Sequence, residues 1–199
     1  MLAPMACFRL FALVFGLSIL GSLGGPAVAA DSAKKLSPHE QHDEALDVLF
    51  AKLQRASNED VAKVTEQKIW ELWSQSDSAT ADVLLGQAER AMNAGDSTSS
   101  MDILDSVIAS YPTYAEAWNK RATLNFMLGK YDASLADTQK VLDLEPRHFG
   151  ALSGQGMIYQ AQEKWGPALD AFREALAINP NMPSVKNAIH ELEKRLREI

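Results

Sequence analysis

Cysteine is nearly absent: the 199 residues contain one, Cys7. A single thiol excludes an intrachain disulfide framework and any multi-cysteine zinc site. Positive charge is in deficit, with 19 Lys+Arg against 26 Asp+Glu and a formal net charge of −7. A chain of that balance is repelled by nucleic acid and by anionic lipid headgroups. Long apolar runs are missing beyond the first thirty residues, which excludes a polytopic membrane protein. There is no Gly-x-Ser-x-Gly elbow, and Ser153-Gly154-Gln155-Gly156 matches neither phosphate-binding fingerprint; it falls inside a helical pattern, not after a strand. What is there is 47% apolar and 23% charged. That is the composition of an ordinary soluble globule of one domain with appendages.

The amino terminus reads as an address. Arg9 precedes an apolar run at residues 10–23, which Gly24, Gly25 and Pro26 break and the small residues 27–30 follow. That order is a secretory signal peptide. The run is short of the roughly 20 residues of a spanning helix. Cys7 lies before the run, whereas a lipoprotein cysteine would lie just after it. We expect cleavage after Ala29 or Ala30, which removes both Cys7 and Arg9 and deepens the acidic excess by one charge. A cysteine-free exported chain suits an oxidising compartment. The expected location is the bacterial periplasm, with 1–30 the signal peptide and 31–37 a linker.

Pro112, Pro146 and Pro180 recur at equal intervals, and an internal period takes precedence over other readings. Units at 81–114, 115–148 and 149–182 align column by column. The eighth slot holds Ala88, Ala122 and Gly156; the twentieth holds Ser100, Ser134 and Ala168; the twenty-eighth holds Ile108, Leu142 and Leu176. Within each unit apolar residues recur three and four apart, one face of a helix. Breaks at Gly95-Asp96, Gly129-Lys130 and Glu163-Lys164 divide each unit into two antiparallel helices. Small residues at slots eight and twenty let the pair approach, and the closing proline cannot continue a helix. Each pair leaves an apolar face that only a neighbouring pair covers.

These columns resemble the tetratricopeptide repeat (TPR) family. Trp118, Ala122, Gly129, Tyr131 and Pro146 match its signature in the second unit, and Gly156, Tyr159, Ala168, Phe172, Ala175 and Pro180 in the third. The first unit departs, with Ala91 in the Tyr slot and Ser97 for the usual aromatic. The resemblance implies an all-α fold, a short solenoid of antiparallel helix pairs. It also implies a concave groove lined by the first helix of each pair. Carried onto this chain, the protein-binding positions are Leu85, Glu89 and Met92; Asn119, Thr123, Phe126 and Met127; and Ser153, Met157 and Gln160. Asp82, Asn93, Glu116, Gly150 and Ala161 share those slots. The carboxylate clamp of TPR co-chaperones is absent, because Leu85, Glu89, Gly150 and Gly154 stand where Lys, Asn, Lys and Arg are required. Met and Phe adapt to varied apolar ligands, so a helix or extended segment of a partner protein is the expected occupant. Gly150 and Gly154 admit two readings, close approach of a partner backbone or mere tolerance.

Residues 38–78 read as a divergent helical hairpin, with Ser57 in the N-cap position of its second helix, capping the amino end of the stack. Trp70 and Trp73 are expected to pack on the first repeat. Residues 183–199 read as a capping helix whose stripe is Val185, Ile189, Leu192, Leu196 and Ile199; a dimer seam is the alternative use. His39 and His42 are three apart, whereas the zinc-protease helix needs four. No metal, cofactor or catalytic set is expected, and His148 and His190 have no evident partner. The reading is a non-catalytic periplasmic scaffold or adaptor binding an envelope protein and supporting envelope integrity. The rivals are a chaperone for exported or outer-membrane clients and a metal-dependent enzyme or carrier using His39 and His42.

Overall fold

The computed structural model describes residues 37–198, all in helices and short turns. The expected signal peptide and all of the linker but Ser37 lie outside the described residues. In chain order the helices are α1 (Pro38–Gln54), α2 (Glu59–Trp73), α3 (Ala79–Asn93), α4 (Ser97–Ser110), α5 (Ala115–Met127), α6 (Tyr131–Leu144), α7 (Phe149–Ala161), α8 (Trp165–Ile178) and α9 (Pro183–Arg197). Among the described residues no helix is long and apolar enough to cross a membrane.

Side chains mark where helices begin. Ser37 and Glu40 form a reciprocal capping box at α1. Ser37 N–H donates to Glu40 Oε2 at 2.8 Å, and Glu40 N–H to Ser37 Oγ at 3.2 Å. Asn58, not Ser57, caps α2, accepting from Val61 N–H at 2.9 Å. The residue nearer the helix start wins because its carbonyl-bearing side chain reaches that orphan donor directly. Asp96 caps α4 through Ser99 N–H, and those hydrogen bonds hold its carboxyl below the usual range.

The three helix pairs α3–α4, α5–α6 and α7–α8 are the three units. Their inner turns use left-handed residues: Gly95 (φ +79°), Gly129 (φ +72°) and Glu163 (φ +59°). Each closes a Schellman pattern. In the first, Asp96 N–H donates to Ala91 O at 2.9 Å and Gly95 N–H to Met92 O at 3.0 Å. The small-residue columns also bond: Ser100 Oγ donates to Ala88 O at 2.9 Å, and Ser134 Oγ to Ala122 O at 2.7 Å. In the third pair the bond is replaced by packing, and a Cβ at Gly156 would lie 2.5 Å from the Phe172 ring. Arg121 then ties three helices together. It grips Asp137 through Nε (3.0 Å) and an Nη (2.7 Å), and reaches Asp105 on α4 at 2.7 Å. These carboxylates hold its guanidinium charged against partial burial.

The flanks behave differently from each other. α9 continues the stack, burying Val185 and Leu192 against Ala168, Leu169 and Phe172. The α1–α2 hairpin does not cap the amino end. Its Leu46, Phe50, Leu53, Ala62, Ile69 and Trp73 form one core cluster with Phe149 of the third repeat, flanked by Ile178 and Met182. Trp70 and Trp73 therefore pack on the third repeat, not the first: their rings lie 5.6 and 5.0 Å from Phe149. The hairpin runs along the edge made by the inter-repeat turns. Arg147 pairs with Asp47, Gln54 donates to the carbonyls of Ala177 and Ile178, and Asn179 donates to Glu66. The return to α3 is fixed by Tyr114 Oη donating to Ser74 O at 2.6 Å and by Asp82 accepting from Ser76. The turn edge supplies Phe149, Ile178 and Met182 as the apolar surface on which the hairpin packs.

Candidate functional site

A cleft of about 150 Å³ opens between α5 and α7, with α6 as its floor. Five of the expected groove residues meet there: Asn119, Thr123 and Phe126 from α5, and Ser153 and Met157 from α7. Spacings of three and four align them on the concave face of each helix. Gly150 and Gly154 complete the α7 wall, and Ser134 and Thr138 of α6 lie beneath. The two α6 residues escape the slot argument, which counts first helices only; Ser134 was visible as a small-column residue, without a hint that it borders the cleft.

The other expected positions go elsewhere. Leu85 is core, and Met92 packs on the same cluster. Glu89 accepts an ion pair from Lys120 at 2.6 Å. Met127 is 63% exposed and does not line the cleft. Gln160 borders a different hollow, with Trp165 and Arg195. The cleft thus belongs to repeats two and three.

One end of the groove is filled by the chain itself. Glu116, in a groove slot by sequence, and His148, in an inter-repeat turn, are both 0% exposed. His148 Nδ1 accepts from Ala151 N–H at 3.0 Å, capping α7. That leaves Nε2 as the protonated nitrogen. It donates to Glu116 Oε2 at 3.2 Å. Asn119 donates to the same oxygen at 3.1 Å, and Lys120 Nζ stands 3.0 Å from Oε1 as a charge partner outside hydrogen-bond geometry. Burial alone would raise the Glu116 carboxyl; the His148 bond and the Lys120 charge overcome it and hold the group below its ordinary value. Burial would lower Lys120, but Glu116 and Glu89 keep it above its own. The His148 ring stacks on Trp73, with centroids 3.9 Å apart and planes 12° from parallel. Trp70 covers Gly150, where a Cβ would collide with the indole. Neither reading of Gly150 holds: what comes close is not a partner backbone but the chain's own Trp70 ring.

His39 pairs with Asp43 at 3.0 Å on the exposed start of α1. With His42 it borders a separate hollow that also includes Tyr111 and Tyr114. Among the described residues no group of three His, Cys, Asp or Glu side chains is placed to hold a metal ion. Ser153-Gly154-Gln155-Gly156 lies within α7.

Comparison with known proteins agrees with the repeat architecture. The tetratricopeptide repeat model matches residues 149–182. A TPR repeat-containing protein of Rhizobium etli is 35% identical over 199 aligned residues, covering 96% of this chain and 98% of the relative. Sperm-associated antigen 1 of Rattus norvegicus is 30% identical over 112 residues, 56% of this chain but 12% of that much longer protein. Among solved structures, the first TPR of Spaghetti (RPAP3) bound to the HSP90 peptide SRMEEVD superposes with a TM-score of 0.58 at 21% identity, over 61% of this chain and 96% of that one. MamA superposes with a TM-score of 0.56 at 20% identity, over 75% and 86%. The structural likenesses speak for the fold, the Rhizobium relative spans nearly the whole of both sequences, and on that ground the chain belongs to the tetratricopeptide repeat family.

Proposed function

We propose that this chain is an exported, non-catalytic adaptor that holds a partner protein in its α5–α7 cleft and supports the integrity of the bacterial envelope from the periplasm. Repeats of this family are protein-interaction modules. The observation that carries the reading is the cleft: an opening of about 150 Å³ whose mouth includes Phe126 and the 48%-exposed Met157. Thr123, Ser153 and Asn119 share that lining, their side-chain donors bonded within the chain to Asn119 O, Gly150 O and Glu116. The location rests on the sequence of Arg9, the apolar run and the small residues after it. The envelope partner rests on that location.

The test is affinity capture from periplasmic extract with the wild-type chain and with Phe126→Glu/Met157→Glu. The scaffold reading expects one or two proteins held at fixed stoichiometry and released by the double variant. Many weakly held clients would favour the chaperone reading, and retention indifferent to the variant would overturn the site. Fusion of residues 1–30 to a phosphatase active only outside the cytoplasm tests export: activity is expected, and its absence removes the periplasmic location.

A further inference from the structure

Gly150 and Gly154 lie one turn apart on the concave face of α7, and they differ in what covers them. Gly150 is occupied by the Trp70 ring, which lies where a Cβ would be. At Gly154 a Cβ would find only Thr138 Cγ2, at 3.8 Å, an ordinary contact. Nothing within the protein demands a glycine there, and glycine is among the poorest helix formers. Yet the missing side chain leaves bare backbone as part of the wall of the cleft, in a lining that includes Phe126 and Met157. Gly150 borders that same cleft, so the open notch continues the surface on which the hairpin already seats an indole.

From this internal precedent we infer that the Gly154 notch is an anchor pocket for one aromatic side chain of the partner protein. Two features favour a ring over an aliphatic group. The α7 wall is flat at Gly154, because the helix carries no Cβ there. The walls supply a thioether, Met157, and a ring, Phe126, itself braced against Tyr131 at a centroid distance of 5.7 Å. Sulfur and aromatic edges are favourable neighbours for a ring. The inference deepens the adaptor reading above and rests on it.

The test is a nuclear magnetic resonance titration of the purified protein with the N-acetyl amides of tryptophan, phenylalanine, leucine and lysine. The tryptophan or phenylalanine amide is expected to move the Gly154 amide and Met157 methyl signals saturably, at least fivefold more tightly than the leucine amide, and the lysine amide not at all. Gly154→Leu, which fills the notch with the protein's own side chain, is expected to weaken that binding at least tenfold with no loss of Tm. Gly154→Ala is expected to give an intermediate loss, and Gly166→Ala on α8, with open space around it, none. Leucine binding tighter than the aromatics, no saturable shift, or undiminished binding by Gly154→Leu with its fold intact would overturn the inference. If the aromatic amides fail while capture from extract still depends on Phe126 and Met157, the anchor is wrong and the adaptor reading stands.

Discussion

The two flanks of the repeat stack make a useful contrast. α9 covers the last pair by repeating what every pair does to its neighbour, with one stripe of Val185 and Leu192 laid along α8. The α1–α2 hairpin instead lies across the ends of the repeats. It reaches the turn after α4 through Ser74 and Tyr114, the turn after α6 through Asp47 and Arg147, and the turn after α8 through Gln54 and Glu66. A repeat array normally has only nearest-neighbour interfaces. Here one flank obeys that rule and the other joins non-neighbours, so losing a flank should have different consequences at the two ends.

Cutting the bridging flank is the strongest way to break the contrast. Trp73→Ala removes a buried indole and the stack on His148. The loss is about 3–5 kcal/mol for a large core aromatic. Urea unfolding followed by far-ultraviolet circular dichroism and by tryptophan fluorescence should be coincident in the wild type and separate in this variant. Leu192→Ala, at about 2–5 kcal/mol, should lower the midpoint and keep the two probes together. Equal behaviour of the two variants would dissolve the distinction.

The buried ionic node sharpens it. Glu116 is held below its ordinary value. Its stabilisation is therefore complete above the unfolded carboxyl value of about 4.3 and drains away as pH falls through the folded one. Lys120 is held above its ordinary value. Its share is complete below about 10.4 and is lost as pH rises through the folded value. A stability plateau between those limits is expected from urea midpoints against pH. Glu116→Gln should flatten the acid limb, and Lys120→Met, which leaves Glu116 buried without its cation, should lower the plateau by about 3–5 kcal/mol.

Smaller effects separate the two α7 glycines. At Gly150 an added methyl enters the space of Trp70, whereas at Gly154 the site has room. Gly150→Ala should therefore cost about 1–3 kcal/mol through overpacking. Gly154→Ala should stabilise by about 1 kcal/mol through helix propensity. Thermal melts of the pair move in opposite directions. Glu163 is the one left-handed turn residue among the three that is not glycine. Glu163→Gly should add about 1 kcal/mol.

The stack was legible because its causes are local. Proline spacing, left-handed turn positions and small-residue columns each act within a single repeat. The hairpin's destination was not legible, because Trp73 and His148 meet from distant parts of the chain and no period links them. Its misplacement carried over to the site. Slot logic treats the concave face as uniformly open, so it placed Glu116 in a groove that His148 and Lys120 close. It also counted Leu85 as a groove residue, which the first repeat turns into core, and Met92, which packs half-buried on the same cluster. Phe126, Ser153 and Met157 do meet in the cleft, where the slot spacing put them.

The bridging flank also makes the molecule a ruler. Between its attachments near Tyr114 and near Asn179 the α1–α2 span is set by two helices of fixed length. Duplicating one module between those points would push the far anchor out of register with Gln54 and Glu66. A longer array in this interval would need a correspondingly longer hairpin to keep both attachments.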